Sequence, residues 1–356
     1  MKRFLILLWV LGMLVGLTAC GGTAQNTGDT PPPAPAVETP KTQAELEEEA
    51  WRQEPAYGTT LHIGYNGSLC QVGIAIAYLK GFFAEEGLDA ELTRSGDGTQ
   101  EAVSAALAGG KIDTTAGMIA GWLKPVTEGI DLRFTVGLHT GCSSAFVLTD
   151  SDITKFEEGQ TVGFGGGIGG VYHNIGLVFA AREGFTKDQL IWKDFGDASA
   201  LLGVLQNGDA DVVIVSDQIA EKWVKEGLVR RIYSQHEGKF ADDACCVLAI
   251  RGDFYDANPI TSKKISRAIY KASKWVDASE ENKREAAQLL LEQGYISGTV
   301  DYAVELLKMF KFGLDTATAE RSIYTAVDEY KQLGIIDPDI NVEDVKKQIW
   351  RPLDLE

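Results

Sequence analysis

From residue 60 onward, short apolar runs alternate with segments whose apolar residues recur every three or four positions. These are the periodicities of strand and helix. Leu61, Ile63 and Tyr65 alternate with His62 and Gly64, which predicts a strand over 61–65 followed by a loop at 66–71. Ile74, Ala75, Tyr78 and Leu79 then share one helix face, and Gly81 ends it. A turn at 82–88 leads to a strand at 89–93. Ser95-Gly96-Asp97-Gly98-Thr99 precedes a helix carrying Ala102, Val103, Ala106 and Leu107, closed by Gly109-Gly110. Strands are expected at 114–116 and 132–138, with a loop at 117–121 between them and 145–148 again extended.

A second, similar series follows. A strand at 161–164 runs into the glycine loop 165–170 and a helix over 172–182 closed by Gly184. A strand at 191–195, a helix at 198–206, a buried strand at 211–215 and a helix opened by Ser216-Asp217-Gln218 complete it. Residues 245–250 form one more strand, and from 262 to about 333 the pattern is almost wholly helical.

Alternating strands and helices predict α/β architecture with mostly parallel sheets. Two such series, joined by extended segments near 139–149 and 244–251, imply that the chain crosses between lobes twice. Lobe 1 is therefore expected from 59–142 and 247–356, with lobe 2, residues 143–246, inserted in it. A cleft between them would receive strand ends and helix N-termini.

The ends and the bulk composition set the compartment. Lys2 and Arg3 precede an uncharged apolar run that stops at Leu17-Thr18-Ala19-Cys20. That layout is a secretory signal over residues 1–20, and its end resembles the bacterial lipobox, which predicts a lipid on Cys20 and an extracytoplasmic chain anchored to the cell membrane. Residues 21–58 are rich in Gly, Thr, Pro and Glu and are expected to be a disordered tether, with a short helix possible at 45–51. The net charge of −18 argues against nucleic acid as a partner. Of five cysteines, four remain after Cys20: Cys70, Cys142, Cys245 and Cys246. Their spacings match no zinc pattern. His139-x-x-Cys142 offers two ligands with nothing nearby in sequence to complete a set, so no metal and no cofactor are expected. A Cys70–Cys142 disulfide is one alternative to two small buried thiols.

Three runs carry a family resemblance. Ile63-Gly64-Tyr65, Gly81-Phe82-Phe83-Ala84-Glu85-Glu86-Gly87-Leu88-Asp89 and Ala106-Leu107-Ala108-Gly109-Gly110-Lys111-Ile112-Asp113 are similar to the opening of nitrate/sulfonate/taurine-type solute-binding proteins, a family that includes binders of thiamine pyrimidine precursors. Val204-Leu205-Gln206-Asn207-Gly208-Asp209-Ala210-Asp211 repeats the likeness in the second series. The resemblance implies a two-lobed periplasmic-binding-protein fold of type II, a Venus flytrap with a helical C-terminal region. It further implies a monomeric binding component of an ABC importer that hands a small solute to a membrane permease. A flytrap-fold sensor lipoprotein serving a receptor has the same sequence features. Gly165-x-Gly167-x-x-Gly170 after a strand also meets the dinucleotide fingerprint's context, with Asp188 or Asp194 downstream. No hydrolase motif is present, and the chain is read as a binding protein, not an enzyme.

Open α/β sheets bind ligands beyond the carboxyl ends of their strands. The expected ligand contacts are therefore loop residues. Ser68, Leu69 and Cys70 match the family's first binding loop, and Met118, Ile119 and Trp122 the third. His139, Thr140 and Cys142 match the lobe crossing. Gly166, Gly167, Gly169, Gly170 and His173, then Ser216 and Asp217, match loops of the second lobe. Gly98 and Thr99 open a helix whose N–H groups suit an anion, and Arg94 is placed to clamp one. Trp122 has core burial as its alternative, His173 a satisfied helix position, and Asp217 a helix cap.

Overall fold

The computed structural model describes residues 41–96 and 99–352. The signal segment 1–20, the lipidation site Cys20, tether residues 21–40 and Gly98 lie outside the described residues.

In chain order, the first stretch gives α1 (Gln43–Trp51), β1 (Thr60–Gly64), α2 (Val72–Leu79), α3 (Phe82–Glu85), β2 (Asp89–Thr93), α4 (Gln100–Ala108), β3 (Thr114–Met118), α5 (Ile119–Thr127) and β4 (Leu132–Thr140). The second gives β5 (Ser143–Leu148), β6 (Thr161–Phe164), α6 (Val171–Arg182), β7 (Ile191–Asp194), α7 (Leu201–Gln206), β8 (Val212–Ser216), α8 (Asp217–Lys225) and β9 (Val229–Ser234). The last gives β10 (Ala244–Arg251), α9 (Gly252–Ala257), α10 (Pro259–Ala278), α11 (Glu280–Glu292), α12 (Val300–Met309), β11 (Lys311–Phe312), α13 (Thr316–Gln332) and α14 (Val342–Ile349).

The strands assemble into two sheets. A six-stranded sheet has the order β11-β4-β10-β3-β1-β2, and a five-stranded sheet the order β7-β6-β8-β5-β9. β1 pairs in parallel with β2 and β3, while β10 runs antiparallel between β3 and β4. In the second sheet β6 pairs in parallel with β7 and β8, and β5 is antiparallel to β8 and β9. The chain passes from first sheet to second between Thr140 and Ser143 and returns between Ser234 and Ala244. Ala244, Cys245 and Cys246 thus belong to the first sheet, a few residues earlier than the pattern suggested.

Apolar burial holds each layer. Ile63 on β1, Ile74 and Ile76 on α2, and Ile265 and Ile269 on α10 lie in one buried cluster. A second cluster joins Trp122 and Phe134 of the first part to Phe164, Ile175 and Phe179 of the second. Among the described residues, no helix is long and apolar enough to cross a membrane.

The tether expectation fails from Gln43 onward, where α1 begins. Trp51 is buried, and its indole Nε1 donates to Thr261 Oγ1 at 3.0 Å. The Glu54 carboxylate accepts from Ile260 N at 2.6 Å and Thr261 N at 2.8 Å, satisfying the first turn of α10. One large aromatic and one capping acid suffice to order a segment that is otherwise polar.

Candidate functional site

At the first crossing, β4 ends on His139 and Thr140, and Gly141 turns the chain with φ +70°. A Cβ on Gly141 would stand 2.2 Å from His236 Nδ1, so glycine is needed both for the left-handed backbone and for the close approach. Cys142 follows at once. β10 lies between β3 and β4, which makes Cys246 the register partner of both Met118 and His139. The loop after β1 brings in Cys70. One ligand atom from each of Cys70, His139, Cys142 and Cys246 lies within 4.8 Å of every other, and all four residues are buried.

This corrects the expectation that nothing completes the pair His139 and Cys142. Cys246, not among the expected site residues, and Cys70 come from distant sequence, and sheet register unites them with the crossing. No cysteine among the described residues is in a disulfide. His139 is fully buried; its Nδ1 lies 3.2 Å from the Thr140 carbonyl, and its Nε2 has no hydrogen-bond partner. With Nδ1–H donating to that carbonyl, the free lone pair is on Nε2. The rings of Phe310 and Phe312 pack edge-on against the imidazole at 4.9 and 5.7 Å.

The thiols polarise one another. Hydrogen bonds from Cys142 and then Cys246 hold the Cys70 thiol well below its ordinary pKa, against the effect of burial. For Cys142 a hydrogen bond from Cys245 favours the thiolate, yet Cys246, Cys70 and burial together push the group up. Cys245 is also pushed up, chiefly through Cys142. Ser68 Oγ sits 3.0 Å from Cys70 Sγ.

The second lobe covers this floor. Gln218, at the start of α8, accepts through Oε1 from Leu69 N at 3.2 Å and reaches Ser68 Oγ at 3.4 Å. Tyr172, on α6, has its hydroxyl shut away beside Ser216 and the thiols, and burial pushes its pKa up. Asn174 Nδ2 donates to Ala120 O at 3.0 Å and Gly169 O at 2.9 Å, a further bridge between lobes. Ser68, Leu69, Cys70, Met118, His139, Thr140, Cys142 and Ser216 are therefore brought to one region. Gln218, Tyr172 and Asn174 join them; their polar types near helix starts were the only sequence signal.

Other expected contacts lie elsewhere. Asp217 is fully buried and turned into its own lobe: Oδ1 accepts from Ser144 Oγ at 2.8 Å and Arg231 Nε at 3.0 Å, and Oδ2 lies 3.1 Å from His236 Nε2. It does not cap α8; Ser216 holds the cap position, without a side-chain bond. Burial alone would raise the Asp217 pKa, but His236 and Arg231 leave it below the ordinary range. Trp122 is wholly buried over Gly117 and belongs to the core with Ile119, not to an open aromatic wall. Arg94 is exposed at the end of β2, with Tyr295 as its electrostatic neighbour. Thr99 caps α4, accepting from Ala102 N.

The glycine loop behaves differently again. Gly166 and Gly167 are left-handed, with φ +85° and +87°, and a Cβ on either would meet nothing within 4 Å. Gly170 caps α6, where a Cβ would stand 2.3 Å from the Gly166 carbonyl oxygen. Gly169 N donates to His173 Nδ1 at 3.0 Å, so His173 serves its own loop, and burial lowers its pKa to about 4. Gly169 and His173 line a groove of about 510 Å³ with Lys124, Asn174, Trp192 and Leu333, apart from the thiol cluster. Of the two acids downstream of the glycine loop, Asp188 lines that groove and Asp194 has its Oδ1 engaged by Gly196 N at 3.0 Å.

Comparison with known proteins agrees with the fold. The family model described as NMT1/THI5 like matches residues 71–282. No curated protein matches the sequence. The alkanesulfonate-binding protein SsuA from Xanthomonas axonopodis pv. citri, bound to MOPS, superposes with a TM-score of 0.65 at 15% identity, covering 84% of this chain and 99% of that one. The periplasmic aliphatic sulphonate-binding protein SsuA from Escherichia coli gives 0.64 at 16%, covering 82% and 97%. The periplasmic nitrate-binding protein NrtA from Synechocystis PCC 6803 gives 0.65 at 16%, covering 82% and 86%. These likenesses establish the two-lobed fold of periplasmic binding proteins.

Proposed function

Because the chain belongs to the NMT1/THI5-like family, we infer that it captures a small solute between its lobes and delivers it to the permease of an ABC importer. The observation that carries this reading is the contact of Gln218 with Leu69 and Ser68, one lobe's helix start meeting the other's first loop over a buried floor. Binding between two lobes couples occupancy to hinge closure. Ser68, Leu69, Met118 and Thr140 of the first lobe, with Gly166, Gly167, Ser216 and Tyr172 of the second, are the proposed contacts.

The proposed solute class is supported by the similar structures, an alkanesulfonate-binding protein and a nitrate-binding protein. A sulfonate, nitrate or taurine-like anion, or a pyrimidine-like compound, is proposed here too. Gly166 and Gly167, left-handed and with open space where a Cβ would stand, let such a solute approach the backbone closely without a basic residue. In this reading the protein is not an enzyme, and its lobes follow the two sheets. It works outside the cytoplasm, held to the membrane by lipid on Cys20.

A thermal-shift screen tests the reading, since a ligand that binds only the folded state raises the melting temperature. The panel holds nitrate, alkanesulfonates, taurine, aromatic carboxylates and pyrimidines. One class is expected to stabilise the protein, and Ser216→Ala with Tyr172→Phe is expected to weaken that shift. Stabilisation that ignores these substitutions would place the solute elsewhere.

A further inference from the structure

Four buried groups at the crossing are more than packing requires. Small apolar side chains would fill the space equally well, and a buried imidazole nitrogen without a partner costs about 1–3 kcal/mol. His139 nonetheless leaves Nε2 unpartnered in a fully buried position, with three sulfurs gathered round one of its ring nitrogens. We propose that Cys70, His139, Cys142 and Cys246 form a tetrahedral site for a single thiophilic cation of the Zn²⁺ class.

The donor set fits that chemistry. Three sulfurs and one imidazole are a known closed set for four-coordinate zinc. Ligands at about 2.0–2.3 Å from one ion stand roughly 3.5–3.8 Å apart in a tetrahedron. The four ligand atoms here lie within 4.8 Å of one another, so modest side-chain adjustment closes the set. The Thr140 carbonyl supplies the outer-shell bond to Nδ1 that orients a metal-bound histidine. On binding, each cysteine that still carries its proton releases it to solvent as its metal–sulfur bond forms, while the neutral imidazole loses none.

The ligands come from the first sheet, the loop after β1 and the crossing; none lies on a strand or helix of the second lobe. Ion binding therefore does not require the lobes to close. Nor does the inference rest on the importer reading, because the same residues would hold the ion whatever the solute.

The test uses the whole chain, purified in reductant, stripped with chelator and titrated with Co²⁺ and then Zn²⁺. One Co²⁺ per chain is expected, with sulfur-to-metal charge-transfer absorption and the intense visible bands of tetrahedral cobalt, displaced by one Zn²⁺. Cys142→Ser and Cys246→Ser should each weaken binding by at least ~100-fold. Cys245→Ser, adjacent to the set but outside it, should keep the one-to-one stoichiometry and the tetrahedral thiolate bands. The absence of thiolate bands while all thiols titrate as free would overturn the proposal. So would a spectrum that survives Cys246→Ser but not Cys245→Ser. Should the serine variants fail to fold, the wild-type stoichiometry and the Cys245→Ser spectrum decide it. Chelator release separates an ion carried as cargo, lost in seconds to minutes, from a resident one retained for hours; either supports the site. A failed solute screen beside a positive cobalt spectrum would overturn the importer reading and leave the metal site standing.

Discussion

His139 and Cys246 face each other on neighbouring antiparallel strands, so their side chains rise from the same face of the first sheet. Register shifts flank Cys246 on both sides, and such bulges re-aim adjoining side chains. That is how two adjacent cysteines, Cys245 and Cys246, both come to lie buried near Cys142. The arrangement sits where the chain changes lobes, between Thr140 and Ser143.

Gln218 is one direct tie across the cleft. Removing it with Gln218→Ala loses its hydrogen bonds from Leu69 N and Ser68 Oγ, worth at least about 1 kcal/mol, or roughly a fivefold shift toward open lobes. Small-angle scattering should show a larger radius of gyration at unchanged circular dichroism. Identical scattering curves would mean that the contact does not hold the lobes together.

Asp217 is predicted to matter for stability more than for solute. Asp217→Asn takes the charged partner from His236 and leaves Arg231 with Glu221 alone, and should cost about 3 kcal/mol. The folded carboxyl has a lowered pKa, so its contribution is in place above the ordinary aspartate range and is lost as pH falls through the folded value. Wild type should therefore lose melting temperature below about pH 4, and the variant should lack that part of the loss. A variant as stable as wild type at pH 7 would refute the assignment.

His173 works in the opposite sense. Burial holds it near 4, so the folded state resists a proton that the unfolded chain accepts near 6.5. Acidification from about pH 6.5 to 4 should cost wild type of the order of 1–2 kcal/mol, and His173→Gln should flatten that slope. Parallel melting curves across this window would show that His173 is not buried neutral.

Much of this architecture is legible in the sequence. Periodicity located most strands and helices, and the two extended segments gave the two crossings. Trp51 and Glu54 escaped because a single buried ring and a single cap do not change the composition of a polar stretch. The site was harder to read. Loop residues such as Ser68, Leu69 and Met118 follow from strand ends, but Cys246 and Gln218 depend on register and lobe closure, which one-dimensional spacing does not encode. Asp217 and Trp122 show the converse: a polar or aromatic residue at a strand end turns inward when partners such as Arg231 or Gly117 wait there.

The N-terminal helix yields a simple check. Trp51→Ala should cost about 3 kcal/mol through lost burial, and Glu54→Ala about 1 kcal/mol through the lost cap on α10. A chain trimmed to begin at Thr59 should melt lower than one beginning at Gln43. Equal melting temperatures would return the segment to the role of a tether.

Hydrogen exchange, with and without the solute that the screen selects, tests capture between the lobes most directly. Capture predicts that backbone amides of 68–71 and 118–119 in the first lobe slow together with those of 166–170 and 216–218 in the second. Protection confined to one lobe, or to the groove at 187–192 and 333–335, would contradict it.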